Sequence, residues 1–245
     1  MILEETKENL EKMRGYGISE GISEIILTTR NAINTGKKYN AAPIGIIWKN
    51  NKLFLHLFKG TNTCRNLMAE EYFAANITDD AVLYAMSTFY DLEDEHFSTV
   101  LAEEKTAAKK PIAMSSKIAV ETTIETAAKN TPVLKEADRY VIFKCLSKTE
   151  SDDTIIIDIE PVLFGKIRDE DGGTLINRGF NSVIDACVHM TRYEKTKNPI
   201  YIDHIRHHFN LIHRCGRKRD KEGLAILKKR LIEIELENAV RRKIE

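Results

Sequence analysis

The chain has 245 residues, 42% of them hydrophobic and 30% charged, so it can bury the core of one large domain or of a domain with an appendage. Its 37 Lys and Arg residues balance 37 Asp and Glu residues, and this zero net charge argues against a general electrostatic attraction to nucleic acid or to anionic membranes. No apolar run approaches the ~20 residues that span a bilayer. The charged N-terminus differs from a signal peptide, and the four cysteines form no Cys-x-x-Cys pair, so we expect a cytoplasmic protein with reduced thiols.

The first quarter of the chain predicts a helix followed by strands. Residues 1–14 place apolar side chains at helical spacing, and the glycines that follow end this helix. From residue 23 to residue 58 the chain has three runs that are β-branched or alternate apolar and polar residues. A loop over 31–38 and a tight turn at Asn50-Asn51 separate these runs, which predicts an antiparallel meander.

Further strand patterns follow the meander. After a short helix over 61–71 the sequence predicts strands over 72–78, 112–126, 140–147 and 154–168. About six strands with only short helices between them favour a barrel over a doubly wound sheet. We therefore predict an α+β fold with a mainly β core.

The composition changes near residue 172. Apolar residues from Ile176 to Thr191 recur at helical spacing and predict an amphipathic helix. Pro199 begins a second helix, which Gly216 ends, and a third runs towards Val240. We predict an N-terminal extension over 1–21, a β-rich domain over 22–172 and a three-helix C-terminal domain over 173–245.

A strand-to-helix junction at residues 60–67 has the composition of a phosphate site. Gly60 permits a tight turn, and Thr61, Asn62 and Thr63 are residue types that cap helix N-termini. The free N–H groups and partial positive charge of a helix N-terminus suit an anion. Arg65 opposes the helix dipole unless an anion is bound there. The alternative is an ordinary capped helix with an arginine that faces solvent.

A second candidate segment is a strand with small side chains, Asn40-Ala41-Ala42-Pro43-Ile44-Gly45. Pro43 has no N–H to donate to a strand ladder, so it indicates an edge or a bulge. Ala41, Ala42 and Gly45 would let a flat ligand approach the backbone closely. The alternative is a bulged edge that packs under a loop.

Four segments in this order, residues 26–30, 40–45, 60–67 and 74–78, resemble a largely archaeal family of unknown function, DUF447. That family is similar to the flavin-reductase-like and pyridoxamine-phosphate-oxidase-like split barrels. The resemblance covers residues 22–170, and the helical tail resembles the C-terminal part of the same family. The N-terminal extension is longer than the domain requires, so its role stays open.

The resemblance implies a split β-barrel that binds FMN non-covalently, and a homodimer with the flavin near the subunit interface. The phosphate would be held by residues of the helix junction, with help from the neighbouring strand: Thr61, Asn62, Thr63, Arg65, Asn66, Thr28 and Arg30. The isoalloxazine would lie along Asn40, Ala41, Ala42 and Pro43, and Asn76 is a further candidate contact. The family has no settled reaction, so the resemblance names no substrate.

Other constellations of polar residues favour simpler interpretations. His204 and His208 are four residues apart on a predicted helix, a spacing that can ligate zinc, but a solvated helix face is the stronger interpretation and we expect no metal. The basic cluster from Arg214 to Lys221 indicates a solvated loop rather than a nucleic-acid contact. The sequence contains no Gly-x-Ser-x-Gly elbow, P-loop or Rossmann glycine fingerprint.

The sequence is compatible with three functions. The preferred one is an FMN-dependent oxidoreductase that passes electrons from a reduced nicotinamide or a similar donor to a small acceptor, because in such proteins the cofactor carries the chemistry. The second is a non-catalytic FMN-binding protein whose helical tail mediates assembly. The third is a nucleic-acid-binding regulator that uses the basic loop.

Overall fold

The structure is a computed structural model, and it describes residues 2–33, 36–100, 122–168 and 175–244. The packing of the Cα trace divides the chain into two compact units. The first unit comprises Met1–Ile18 and Glu24–Leu175, and the second comprises Ser19–Ser23 and Ile176–Glu245.

The first unit combines four α-helices with eight strands among its described residues. In chain order these elements are α1 (Ile2–Gly15), β1 (Gly21–Arg30, whose first residues belong to the second unit), β2 (Tyr39–Lys49), β3 (Lys52–Phe58), α2 (Asn62–Ala69), β4 (Tyr72–Ile77), α3 (Ala81–Phe89), β5 (Phe97–Thr99), α4 (Thr122–Lys129), β6 (Pro132–Leu134), β7 (Arg139–Glu150) and β8 (Thr154–Lys166).

Six of the strands close into a barrel in the order β1-β2-β3-β8-β7-β4, while β5 and β6 form a separate two-stranded sheet. Strand β3 is antiparallel to β8 from Phe54 to Phe58, and β4 is antiparallel to β7 from Tyr72 to Ile77. The predicted α+β fold with a mainly β barrel core is confirmed. The meander over the first three strands is present as well, with β2 antiparallel to β3.

The barrel core follows from alternation along its strands. On β3, Leu53, Leu55 and Leu57 are buried while the residues between them are more exposed. Phe73 and Phe143 on the paired strands β4 and β7 stack inside with ring centroids 5.3 Å apart. Burial of one such side chain contributes about 1.5–3 kcal/mol, so the barrel is the rigid frame on which the surface loops are placed.

One predicted strand is corrected by the structure. The run over 112–126 lies outside the described residues up to position 121, and its last residues belong to helix α4 rather than to a strand. Thr122, Thr123 and Ile124 are β-branched, which suggested a strand, but strand propensity is weak and Ala128 of this helix is buried against the barrel surface. The tertiary contact therefore decides the local structure.

The second unit contains three helices, as predicted: α5 (Arg178–Thr196), α6 (Ile200–Cys215) and α7 (Lys218–Ile244). The Asn177 side chain caps α5 by accepting a hydrogen bond from the Phe180 N–H at 2.9 Å. The helices share an apolar core that includes Met190, Ile205 and Leu231. Within the described residues no helix is both long enough and apolar enough to cross a membrane.

Candidate functional site

The predicted helix junction lies where the chain leaves the barrel after β3. The backbone turns at Gly60, whose φ of +83° is a left-handed conformation that side chains other than glycine rarely adopt. Thr61 then caps α2: its hydroxyl accepts a hydrogen bond from the Cys64 N–H at 3.2 Å and donates one to the Phe58 carbonyl at 3.0 Å. Its side chain therefore fixes the start of the helix.

The first turn of α2 combines groups that suit an anion. The backbone N–H groups of Asn62 and Thr63 are the first two of the helix, and neither has a hydrogen-bond partner among the described residues. The exposed guanidinium of Arg65 donates a hydrogen bond to Asn62 Oδ1, so it stays over the same turn. Two N–H groups, the positive end of the helix and a cation thus converge at one place.

The small-residue strand segment lies next to this helix. Asn40 at the start of β2 donates a hydrogen bond from Nδ2 to Thr63 Oγ1 at 3.1 Å. Ala41, Ala42 and Pro43 follow it and are half-buried. The register of β2 with β3 runs only from Ile47 to Lys49, so Pro43 lies beyond it and its missing N–H does not interrupt that ladder.

Asn66 ties α2 to the end of β1. It is 3% exposed; its Oδ1 accepts a hydrogen bond from the Ala32 N–H at 3.0 Å, and its Nδ2 donates to Thr29 Oγ1 at 2.9 Å and to Asn31 Oδ1 at 3.0 Å. These bonds employ both ends of the amide. Asn66 accordingly positions the helix against the barrel.

Thr28 and Asn76 form a second buried polar link. Neither side chain has any exposed surface, and Asn76 Nδ2 donates to Thr28 Oγ1 and to the Ile26 carbonyl, both at 2.9 Å. Thr28 donates to the Pro132 carbonyl, and Asn76 Oδ1 accepts from the Leu134 N–H at 2.8 Å. The pair therefore joins β1 and β4 to β6.

Arg30 lies at the other end of α2. Its guanidinium donates to the Asn130 carbonyl at 2.7 Å and lines a cavity of about 150 Å³ together with Glu70 and Tyr72. Glu70 is the C-cap of α2, and an eight-residue helix is about 12 Å long. Arg30 is thus not brought together with Thr61, Asn62 and Arg65.

Asn31, in the loop after β1, is a site residue that sequence reasoning missed. Its Nδ2 donates to the Lys37 carbonyl at 3.0 Å and to the Tyr39 carbonyl at 3.1 Å, while its Oδ1 accepts from Asn66. Asn31 therefore fixes the loop before β2 and couples it to α2. Its position as a turn-forming residue directly after a strand was the available signal.

The thiol in the first turn of α2 is not an activated nucleophile. Cys64 is 4% exposed, and burial is the main cause that raises the pKa of its thiol, with the Glu150 carboxylate acting in the same direction. A thiol with a raised pKa stays protonated near neutral pH, so Cys64 acts as a small apolar side chain of the barrel core.

The helical unit brings several histidines together. The His189 ring stacks on those of His204 and His208 with centroid distances of 4.9 and 5.4 Å. Across the described parts of the chain, no group of three or more His, Cys, Asp or Glu side chains is arranged to hold a metal ion. In the basic segment that follows, Arg217 is paired with Asp220 and Arg219 with Glu222.

Family models identify the relationships of both parts of the chain. The model of the N-terminal domain of DUF447, a protein family of unknown function, matches residues 23–168, and the model of the remaining DUF447 part matches residues 177–229. This chain belongs to the DUF447 family. The resemblance that the sequence motifs indicated is thereby confirmed.

Individual proteins extend this comparison. An FMN-bound DUF447 protein from Methanosarcina mazei is 33% identical over 89% of this chain and 98% of its own, with a TM-score of 0.49. An uncharacterized protein of Methanocaldococcus jannaschii is 43% identical over 56 residues, which are 23% of this chain and 27% of that relative's length. A flavin reductase domain protein from Arthrobacter sp. FB24 is 10% identical over 68% of this chain and 87% of its own, with a TM-score of 0.41.

Proposed function

We propose that this protein binds FMN non-covalently, with the phosphate at the first turn of α2 and the isoalloxazine along the start of β2. The observation that carries the proposal is the hydrogen bond between Asn40 and Thr63, because it joins the candidate ring segment to the candidate phosphate turn. The identity to an FMN-bound member of the same family, which extends over nearly the full length of that chain, supports it.

The phosphate fits the groups that α2 leaves available. The N–H groups of Asn62 and Thr63, the Asn62 amide and the Arg65 guanidinium are the proposed ligands. Hydrogen bonds to a charged group contribute about 1.5–3 kcal/mol each, so Arg65 by itself has a measurable share of the affinity. The Thr61 hydroxyl keeps its capping role because both of its hydrogen bonds are made within the chain.

The ring would lie against Ala41, Ala42 and Pro43, whose short side chains leave the backbone of β2 accessible. Asn66, Thr28 and Asn76 act as the frame, since their polar atoms bond one another or the backbone. FMN, when bound, supplies hydride and single-electron transfer. This chain holds and orients the cofactor and limits access of water to the side that faces β2.

For the reaction, we propose an oxidoreductase that moves electrons from a reduced nicotinamide or a similar donor to a small acceptor. The redox chemistry of FMN supports this function, and the buried, protonated Cys64 argues against nucleophilic catalysis at the same turn. The alternative, a non-catalytic FMN-binding protein, would not reduce and reoxidise its flavin in repeated cycles. Anaerobic NADH or NADPH should bleach the flavin of an oxidoreductase, and an acceptor should restore its colour.

The cofactor itself is tested on the purified protein. Its absorption spectrum should contain the visible flavin bands, and heat should release a compound with the mass of FMN. Recovery of FAD would contradict the single-phosphate site. Failure to bind flavin after unfolding and reconstitution with excess FMN would overturn the proposal altogether.

A further inference from the structure

The helical unit carries a cleft of its own, of about 410 Å³. It is lined by Arg206, Phe209, Asn210 and His213 of α6 and by Lys228 of α7. Positions 206, 210 and 213 are spaced by four and three residues, so they share one face of α6. Phe209 is only 8% exposed and belongs to the core of the unit, so the floor of this α6–α7 cleft is rigid.

The charges of the α6–α7 cleft are all of one sign. No carboxylate lines it, and the side chains of Arg206, His213 and Lys228 form no hydrogen bond or ion pair with any described residue. Two other cations of α7 are paired with carboxylates. Arg230 lies within 3.3 Å or less of carboxylate oxygens from Glu194, Glu233 and Glu237, and Arg219 pairs with Glu222.

A bound anion would stabilise this cluster of positive charges. Like charges around one concavity repel each other, and a bound oxyanion reverses the sign of that interaction. The planar guanidinium of Arg206 matches the oxygens of a phosphate, and a lysine supplies a point charge beside it. The cleft falls within the ~300–1,000 Å³ range of small-molecule sites, so its volume suits an organic phosphate better than a bare ion.

We propose that the α6–α7 cleft binds a phosphate-bearing small molecule, which Arg206 and Lys228 hold by its phosphate while the Asn210 amide and the edge of Phe209 contact the remainder. The ligand lies in the helical unit, on residues other than those proposed for FMN. The inference is therefore independent of the proposed function.

Calorimetric titration of the full-length, FMN-loaded protein tests this inference, with AMP, adenosine and inorganic phosphate as probes. AMP should bind saturably and more tightly than inorganic phosphate, and adenosine should bind more weakly than either or not at all. Arg206→Gln and Lys228→Gln should each weaken AMP binding about ten-fold or more, the loss expected for a charge-assisted hydrogen bond. Lys229→Gln is the matched control, because Lys229 is an exposed neighbour on α7 that does not line the cleft.

Several results would overturn the inference. These are absence of AMP binding at millimolar concentration, equal binding by the Arg206→Gln and Lys228→Gln variants and by the Lys229→Gln control, or release of FMN when AMP is added, since that would place AMP in the FMN site. Binding of a single-stranded oligonucleotide without saturable AMP binding would also overturn it. If Arg206→Gln lowers the melting temperature, Arg206→Lys should fold and keep part of the affinity.

Discussion

Asn40 on β2 and Thr63 on α2, 23 residues apart in the chain, are joined by a hydrogen bond of 3.1 Å from the Asn40 amide to the Thr63 hydroxyl. Thr63 is 3% exposed, so the bond is shielded on the helix side. It fixes the distance between the strand with small side chains and the first turn of α2. A flavin that uses both segments at once depends on this distance.

Removal of this bond should weaken flavin binding without unfolding the barrel. Asn40→Ala and Thr63→Val should each weaken FMN about three- to ten-fold, the effect of one neutral hydrogen bond of about 1 kcal/mol. The double variant should cost little more than either single one, because the two changes remove the same bond. Fluorescence titration of the apoprotein measures all four affinities, and fully additive effects would show that the bond does not act on the site.

Arg65→Ala should weaken FMN binding by about 1.5–3 kcal/mol and leave the fold intact, because an exposed arginine contributes little to stability. Riboflavin, which lacks the phosphate, should bind the variant and the unaltered protein equally. Lys49→Ala, at the exposed far end of β2, is the control for a general change of charge. Equal loss of riboflavin and FMN, or of neither, would exclude Arg65 as a phosphate ligand.

Asn66 and Asn62 lie on the same helix, but truncation should lower the stability much more at Asn66 than at Asn62. Asn66→Ala removes the hydrogen bonds to Thr29, to Asn31 and from the Ala32 N–H, and the free energy of unfolding should fall by about 1–3 kcal/mol. Asn62→Ala, at an exposed position, should change it by less than about 0.5 kcal/mol. Urea unfolding of the apoproteins, followed by Trp48 fluorescence, compares the two variants directly.

The homodimer that the resemblance implies remains a prediction. On α5, Phe180, Ile184 and Val188 recur every four residues and are 48%, 49% and 40% exposed, so they form a stripe that a second copy can bury. Light scattering should give a dimer, and Ile184→Glu should shift the mass towards the monomer. Ile226→Glu on α7, where the side chain is 70% exposed outside this stripe, should not. A flavin-loaded monomer at micromolar concentration would contradict the prediction.

The helical unit should lose stability as the pH falls. Burial lowers the pKa of His189 and of His208 below the ordinary value of 6.5, and the Nδ1 atom of each is buried without a hydrogen-bond partner. The unfolded chain then binds more protons than the folded one below pH 6.5, so the free energy of unfolding decreases until the folded-state pKa is passed. His189→Gln should flatten this decrease, whereas His56→Gln at an exposed position of β3 should not. Urea unfolding at a series of pH values, followed by the circular dichroism of the helices, measures this decrease in the free energy of unfolding. An unfolding midpoint that does not change with pH would contradict the prediction.

Local chemistry was sufficient for much of the fold. The alternation in β3, the positive φ of Asn50 and Asn51 in the turn before it, and the cap at Thr61 are all decided within a few residues of the chain. For this reason the meander, the barrel class and the three C-terminal helices were predictable. Helix α4 was not predictable from the sequence. Its first residues are β-branched and favour a strand, whereas the burial of Ala128 against the barrel is a tertiary contact that the sequence pattern does not show.

Only the tertiary structure shows which polar residues are available to a ligand and which hold the fold together. Asn62, Asn66 and Asn76 are equivalent as residue types, and the resemblance implied contact with FMN for all three. The structure leaves Asn62 exposed and encloses the other two among hydrogen-bond partners from β1, the loop after it and β6.

The sequence by itself determined that a capped helix with an arginine in its first turn follows a strand, because capping and dipole effects act within one turn. Only the tertiary structure decided that Asn40 contacts this helix while Arg30 lies at its opposite end. Both outcomes depend on strand register and barrel closure, which bring together residues that are distant in the chain. A one-residue slip of β1 or β2 would turn these side chains to the other face of the sheet.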